Sequence, residues 1–251
     1  MEESYMISDE KGQNEKRQGD TIVQEQKERE EKTIYQEVKA PSRPHELINR
    51  VEEPPSYTVE REKRQGEYTL EDYYALPDDS RVELIDGVFY DMSAPSFVHQ
   101  HLISDILGTL KEFFDKKKGN CMPMVAPLDV NLDCDEKTMV QPDVLILCDR
   151  SKIRKWGLYG APDFCMEILS ESTRHKDCVK KLQKYIDAGV KEYWILDPFR
   201  KMMLTYCWKD DYAAHMYPLE GSLGLQLYDG ELQIDLGSLA ELIVEYPGKS
   251  E

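Results

Sequence analysis

Two short apolar runs, QPDVLILCD (Gln141–Asp149) and DFCMEILSES (Asp163–Ser172), each carry a carboxylate, Asp143 near the start of the first and Glu167 inside the second. Runs of this length and composition become buried strands. In the second, alternation puts Phe164, Met166 and Ile168 on one face and Cys165, Glu167 and Leu169 on the other. An ionised carboxylate on a buried face costs on the order of several kcal/mol unless it is paired or binds a metal. If the two strands are neighbours, Asp143 and Glu167 come side by side. Two acids held close repel each other, and a divalent cation relieves that repulsion. Such a cation activates water and stabilises charge on a phosphate, which is the chemistry of phosphodiester hydrolysis. A site of this layout usually carries a lysine two residues after the second acid, and here that position is Leu169.

A cation can reach the same place from the segment that follows, ILSESTRHKDCVKKLQKY, which reads as a strand end, a Ser172 or Thr173 cap, and a helix from about Arg174 to Ala188. Asp177 and Lys181 are four apart on that helix and share a face. Lys181 is the first candidate for the missing cation, Lys180 the second and Lys184 the third, beside an apolar stripe of Val179, Leu182, Tyr185 and Ile186. Taken singly, these residues also have plain readings. Asp143 can be a turn residue after Pro142, Glu167 can pair with a nearby Lys or Arg, and Lys181 can be a solvated partner of Asp177.

The elements that would position these groups are legible from Glu67 onward. YTLEDYYALP has Thr69 as an N-cap with Asp72 three residues on, and Pro77 as the stop. RVELIDGVFYDMS reads as two strands joined at Asp86–Gly87, a strong hairpin signal. Ser96 caps a helix carrying Leu102, Ile103, Ile106, Leu110, Phe113 and Phe114 on one stripe, closed by DKKKGN. Strand-like runs follow at Met122–Ala126, Leu128–Leu132, Val144–Cys148 and Phe164–Leu169. EYWILD (Glu192–Asp197) is a strong strand, MMLTYCW, YAAHMY, LGLQLY and ELQID suggest an antiparallel run, and LGSLAELI a closing helix. The order of elements makes an α/β (α+β) domain with a central mixed sheet.

Residues 1–66 differ in composition. They hold 12 basic and 16 acidic residues, net −4, with few apolar residues and several prolines, against −13 on residues 67–251. We expect a disordered N-terminal tail over 1–66, with a partner-binding helix around 20–40 as the sharper option, and one folded domain over 67–251. The pentapeptide EKRQG occurs twice, at Glu15–Gly19 and Glu62–Gly66. The net charge of −17 disfavours non-specific phosphate binding, so a nucleic-acid site must be local. The cationic loop DRSKIRKWGLYG, with Arg150, Lys152, Arg154, Lys155 and Trp156, is the best local candidate for phosphate contact and base stacking, with a solvated loop as the equal plain reading. No stretch is apolar enough to span a membrane, and the chain reads as cytoplasmic. The six cysteines (Cys121, Cys134, Cys148, Cys165, Cys178, Cys207) form no C-x-x-C pair and read as free thiols.

The blocks VELIDGVFYDMSAPSFVHQHL, QPDVLILCD and GAPDFCMEILSESTRHKDCVKKLQKYIDAGVKEYWILDP resemble the Uma2 family, a branch of the PD-(D/E)XK restriction-endonuclease-like superfamily. The resemblance covers roughly Glu67–Ile243. It implies a restriction-endonuclease-like fold, a central mixed β-sheet flanked by helices. It implies an Mg²⁺- or Mn²⁺-dependent endonuclease site acting on DNA, with the lysine migrated onto the helix. Carried over by position, Asp143 and Glu167 become the metal ligands, with the backbone carbonyl of Ile168, and Lys181 the helix lysine. Glu83 matches an acidic hairpin position that completes the site, and His99 a recurrent helix histidine. Nucleases of this fold often dimerise to cut both strands, so a homodimer stays open. Two other readings stand beside an endonuclease: a nuclease-fold module that binds nucleic acid or a protein without cutting, and an accessory protein whose acidic site holds a cation for stability.

Overall fold

A computed structural model of the chain describes residues 63–77, 79–170 and 176–246. The rest of the tail, the first copy of EKRQG and the 20–40 segment lie outside the described residues, as do the Ser172 and Thr173 caps.

The described chain opens on the second EKRQG copy. The Lys63 ammonium lies 2.8 Å from the Asp72 carboxylate, the Gln65 side chain accepts from Phe89 N at 2.9 Å, and Gly66 N donates to Gly87 O at 2.7 Å. Residues 63–66, placed in the tail from composition, therefore dock on the domain. Helix α1 (Leu70–Tyr74) follows, with Thr69 N donating to Asp72 Oδ2 at 2.8 Å as its capping pattern requires. Strands β1 (Val82–Ile85) and β2 (Val88–Asp91) form the hairpin, and Asp86 and Gly87 both take positive φ, the geometry of a two-residue turn matched to strand twist. Gly87 has a further constraint: a Cβ there would lie 2.5 Å from Gly66 O.

Helix α2 (Phe97–Lys117) is capped by Ser96, whose hydroxyl accepts from His99 N. Its buried stripe is Leu102, Ile103, Ile106, Leu110 and Phe114. The left-handed residue at its end is Lys118 rather than the following glycine. Strands β3 (Met122–Val125), β4 (Asp129–Asn131), β5 (Val144–Leu147), β6 (Gly157–Tyr159) and β7 (Phe164–Ile168) come next. After residues 171–175 the chain makes a π-helical turn, Lys176–Lys181, that runs into helix α3 (Leu182–Asp187). Strands β8 (Glu192–Asp197), β9 (Met202–Cys207), β10 (His215–Pro218), β11 (Ser222–Gly224) and β12 (Gln233–Asp235), then helix α4 (Leu236–Glu245), complete it. LGLQLY is not one strand: β11 ends at Gly224 and Gln226–Tyr228 forms a 3₁₀ turn.

Six strands form the central mixed sheet in the order β10-β9-β8-β7-β5-β3, with β7 and β8 parallel and the other neighbours antiparallel. One face, carrying Phe164, Met166, Ile168, Trp194 and Leu196, packs under α2 and α4. The other, carrying Cys165, Leu169, Tyr193 and Ile195, packs under α3, where Tyr185 and Leu182 meet it, and under Ile85 of the hairpin. The period-2 alternation expected for β7 therefore separates two cores, and Glu167 belongs to the second face.

Two cysteines correct the free-thiol expectation. Cys121 precedes β3 and Cys148 follows β5, and the antiparallel register Met122↔Leu147 sets them opposite each other, where they form a disulfide. Cys134, Cys165, Cys178 and Cys207 lie outside that disulfide. Cross-strand partners of this kind have no signature in sequence spacing. Among the described residues, no helix is long and apolar enough to cross a membrane.

Candidate active site

Strands β5 and β7 are antiparallel neighbours with Val144 opposite Met166, so Asp143, one residue outside β5, falls beside Glu167. The loop between them returns the chain in the required direction. Glu167 is 3 % exposed and sits in the second core face, where water cannot compensate its charge. Compensation comes from α3 and the turn before it. Lys181 Nζ lies 2.8 Å from Glu167 Oε1, 2.7 Å from Glu83 Oε1 and 3.5 Å from Asp177 Oδ1, and Tyr185 Oη donates to Glu167 Oε1 at 2.7 Å.

Asp177, Lys181 and Tyr185 are successive four-residue steps, and all three are buried. The inward face of this segment is therefore polar. Val179, placed by its hydrophobicity on the packing stripe, is 54 % exposed. Lys181 is not a solvated partner of Asp177 alone: at 2 % exposure its ammonium gathers three carboxylates. The other two lysine candidates go elsewhere. Lys180 hydrogen-bonds the Tyr90 hydroxyl, and Lys184 pairs with Asp86 and Asp135.

Glu83 enters from β1. Its Oε1 also accepts from Gln141 N at 2.8 Å, and its Oε2 pairs with Lys176. The hairpin is pinned there by Leu84 pairing with Met139 through backbone bonds in both directions. Asp143 Oδ2 accepts from Ile168 N at 2.7 Å and lies 3.2 Å from His99 Nε2. The first turn of α2 thus supplies a histidine to the aspartate, and the Ser96 cap fixes where that turn begins.

The electrostatics follow from burial and count. Burial pushes the Glu167 carboxyl well above the usual carboxylate range, Lys181 opposes this, and the charges of Asp177, Asp143 and Glu83 push it higher. Burial also works against ionised Glu83, but Lys181 and Lys176 outweigh it and hold its carboxyl below the usual range. Burial disfavours the Lys181 ammonium, yet Glu167, Glu83 and Asp177 keep it charged. For His99, burial lowers the pKa and the Asp143 carboxylate raises it, with a net upward shift.

Four carboxylates (Glu83, Asp143, Glu167, Asp177) thus face two ammonium groups (Lys176, Lys181). Among the described residues the set carries two formal negative charges in excess, and Glu167 is the member whose carboxyl burial and neighbouring acids push well above the usual range. A divalent cation would neutralise that excess, so the residues fit one. Among the described residues no three His, Cys, Asp or Glu side chains converge as a ready-made metal group. The fit is that of two carboxylates on adjacent strands, with the carbonyl of Ile168, whose N–H already bonds Asp143 Oδ2, as the group that would complete the set.

Sequence reasoning brought Asp143, Glu167, Lys181 and Glu83 to the same region, and the structure adds Asp177, Lys176 and Tyr185. Tyr185 was read as apolar filling, although its spacing from Lys181 and Asp177 was a helix-face signal for a polar role. In the cationic loop, three of the cations meet backbone carbonyls. Arg150 donates to Asn120 O, Lys152 to Ala161 O and Arg154 to Ser151 O, while Trp156 packs edge-on against Tyr74. These groups hold the loop and β6 in shape, because a turn-rich loop needs donors for its own carbonyls.

The chain matches the model of the Uma2 family, described as "Putative restriction endonuclease", over residues 70–236. Among solved structures it is similar to a "putative nuclease belonging to DUF820" from Anabaena variabilis, with a TM-score of 0.58 and 17 % identity, over 70 % of this chain and 98 % of that one. That likeness is one of fold. No curated protein matches the chain.

Proposed function

Since the chain belongs to the Uma2 family of restriction-endonuclease-like proteins, we propose that it is an Mg²⁺- or Mn²⁺-dependent endonuclease that hydrolyses phosphodiester bonds in DNA. The observation that carries this reading is the Lys181 ammonium, supplied from a helix, lying 2.8 Å from Glu167 on the strand beside Asp143. Asp143, Glu167 and the Ile168 carbonyl would hold the cation. Once bound, it would supply Lewis-acid polarisation of the phosphate and a water acidic enough to attack at neutral pH.

This chain's own groups do the positioning. Lys181 and Tyr185 both grip Glu167 Oε1, which leaves Oε2 as the oxygen to turn toward Asp143. Ile168 N holds Asp143 Oδ2, so the two carboxylates are oriented by groups from different elements. The Lys181 ammonium has three protons and three carboxylate neighbours. Its first task is therefore to hold the acids, and it can serve a water only when one of the acids releases it. Glu83, bound by Lys176 as well, is the acid best able to release it.

The test incubates the full chain with supercoiled plasmid and with RNA in Mg²⁺ or Mn²⁺, beside Asp143→Ala and Glu167→Ala. Nicking or linearisation of plasmid that falls at least ~100-fold in both variants is expected, the size of loss seen when a principal electrostatic element is removed. Cleavage that persists in both, or absence of metal binding by calorimetry, overturns the reading. DNA binding without cleavage in any metal would favour the non-cleaving module instead.

A further inference from the structure

The nuclease reading leaves open how an acidic domain of net charge −13 receives a polyanion. In the loop over 150–156, Arg150, Lys152 and Arg154 each bond a backbone carbonyl, and the hairpin offers a second approach. The antiparallel register of the hairpin pairs Glu83 with Tyr90, so the two side chains project from the same face. Tyr90 is therefore next to the carboxylate cluster on its outer side. Two ammonium groups converge on its ring: Lys176 Nζ lies 5.7 Å and Lys180 Nζ 5.1 Å from the centroid, and Lys180 also bonds the hydroxyl.

This arrangement is costly by itself. Lys176 and Lys180 are four apart, and like charges at that spacing on a helical segment repel. Lys176 is compensated by Glu83, while the partner of Lys180 among the described residues is the neutral Tyr90. A half-buried aromatic ring with a phenolic hydroxyl and two ammonium groups beside Glu83 has the elements of a nucleic-acid contact: charge for phosphate, a ring for stacking, a hydroxyl to bond. An anion between the two ammonium groups would also remove their repulsion.

We propose that Lys180, Tyr90 and Lys176 form the face that receives the phosphate backbone of DNA and leads it to the carboxylate cluster. The proposal rests on the nuclease reading, and its test separates the two. Fluorescence anisotropy of the full chain with a labelled DNA duplex, in Ca²⁺ so that cleavage does not intervene, is followed from 50 to 300 mM salt for Lys180→Ala, Lys180→Glu, Tyr90→Phe and the exposed α2 control Lys111→Ala. Each phosphate contact contributes about 0.9 to the slope of log K against log salt. Lys180→Ala should lower that slope by about one and weaken binding several-fold at low salt, with Lys180→Glu weaker still and Lys111→Ala unchanged. Tyr90→Phe, which keeps the ring, should cost less than Lys180→Glu. Binding by wild type with a slope unaltered in both Lys180 variants overturns the proposal and leaves the nuclease reading standing. No DNA binding by wild type overturns both, and stronger retention of RNA than of DNA overturns the choice of DNA. Thermal unfolding of the variants, expected within about 1 °C of wild type, separates lost contact from lost structure.

Discussion

Replacing Lys181 by Met tests the electrostatic core of the site without reference to catalysis. The side chain is nearly isosteric and 2 % exposed, so the change removes a charge rather than a volume. Glu83 would retain Lys176 and Gln141 N. Among the described residues Glu167 would retain the Tyr185 hydroxyl but no cation, and Asp177 would lose the same ammonium. Breaking a buried ion pair costs about 3–5 kcal/mol, and most of that cost falls on Glu167, which lies nearer the ammonium than Asp177 does. Its carboxyl already lies well above the ordinary value of 4.5 through burial and neighbouring acids, and loss of Lys181 moves it higher. A carboxyl with a folded pKa above its unfolded one contributes stability that is fully present below the unfolded value and lost as pH rises through the folded value. The deficit of the variant against wild type should therefore grow as pH rises from 5 to 8, in urea denaturation with EDTA present. Adding Glu167→Gln, which removes the charge and keeps an acceptor for Tyr185, should return about 2–3 kcal/mol as coupling in the double-mutant cycle. A deficit that is the same at both pH values, with no coupling to Glu167→Gln, would refute the argument that Glu167 depends on Lys181.

Two further substitutions probe the supports of the site. Tyr185→Phe deletes the second donor to Glu167 Oε1 and should cost about 1–2 kcal/mol in urea unfolding while weakening Mn²⁺ binding by calorimetry, because the carboxylate is freer to turn. Gly87→Ala places a methyl group 2.5 Å from Gly66 O at a residue with φ of +73°, so it should lose about 1–2 kcal/mol from the backbone alone and release residues 63–66 to trypsin at Lys63 and Arg64. Gly119→Ala, where an added Cβ meets nothing within 4 Å, is the comparison expected to change neither.

The parts of this site that were legible in the sequence are those set by local chemistry. Asp86–Gly87 demanded a hairpin, Ser96 a helix start, and the β7 alternation put Glu167 on a core face. The helix after β7 singled out Lys181 ahead of Lys180 and Lys184, and the family resemblance pointed to the same residue. What was not legible depends on which partner a group finds across the fold. Arg150 and Arg154 look identical in sequence whether they meet phosphate or a carbonyl, and the structure gives them carbonyls. Cys121 and Cys148 become partners only once β3 lies beside β5. The polar face of Asp177, Lys181 and Tyr185 was obscured because hydrophobicity was taken to decide which side of the segment turns inward. Here a buried carboxylate decided it, since an unmatched Glu167 costs more than an exposed Val179.

Leu169 shows why the cation arrives from a helix. It shares a strand face with Cys165 and Glu167, is 2 % exposed, and packs in the core with Tyr185 and Ile195. A lysine at that position would need its own route out of the core or a carboxylate beside it. Lys181 instead comes down onto Glu167 from the segment that covers this face, with Tyr185 one turn later closing the layer over the same carboxylate. The lid of the core and the charge of the site are then one structural unit, and the π-helical turn at Lys176–Lys181 precedes α3 where that unit begins. Such coupling predicts that changes in the packing of α3, as at Leu182, alter the site through the placement of Lys181 as much as they alter stability. The strand lysine of the superfamily motif would not carry that dependence, because its position is set by the sheet register.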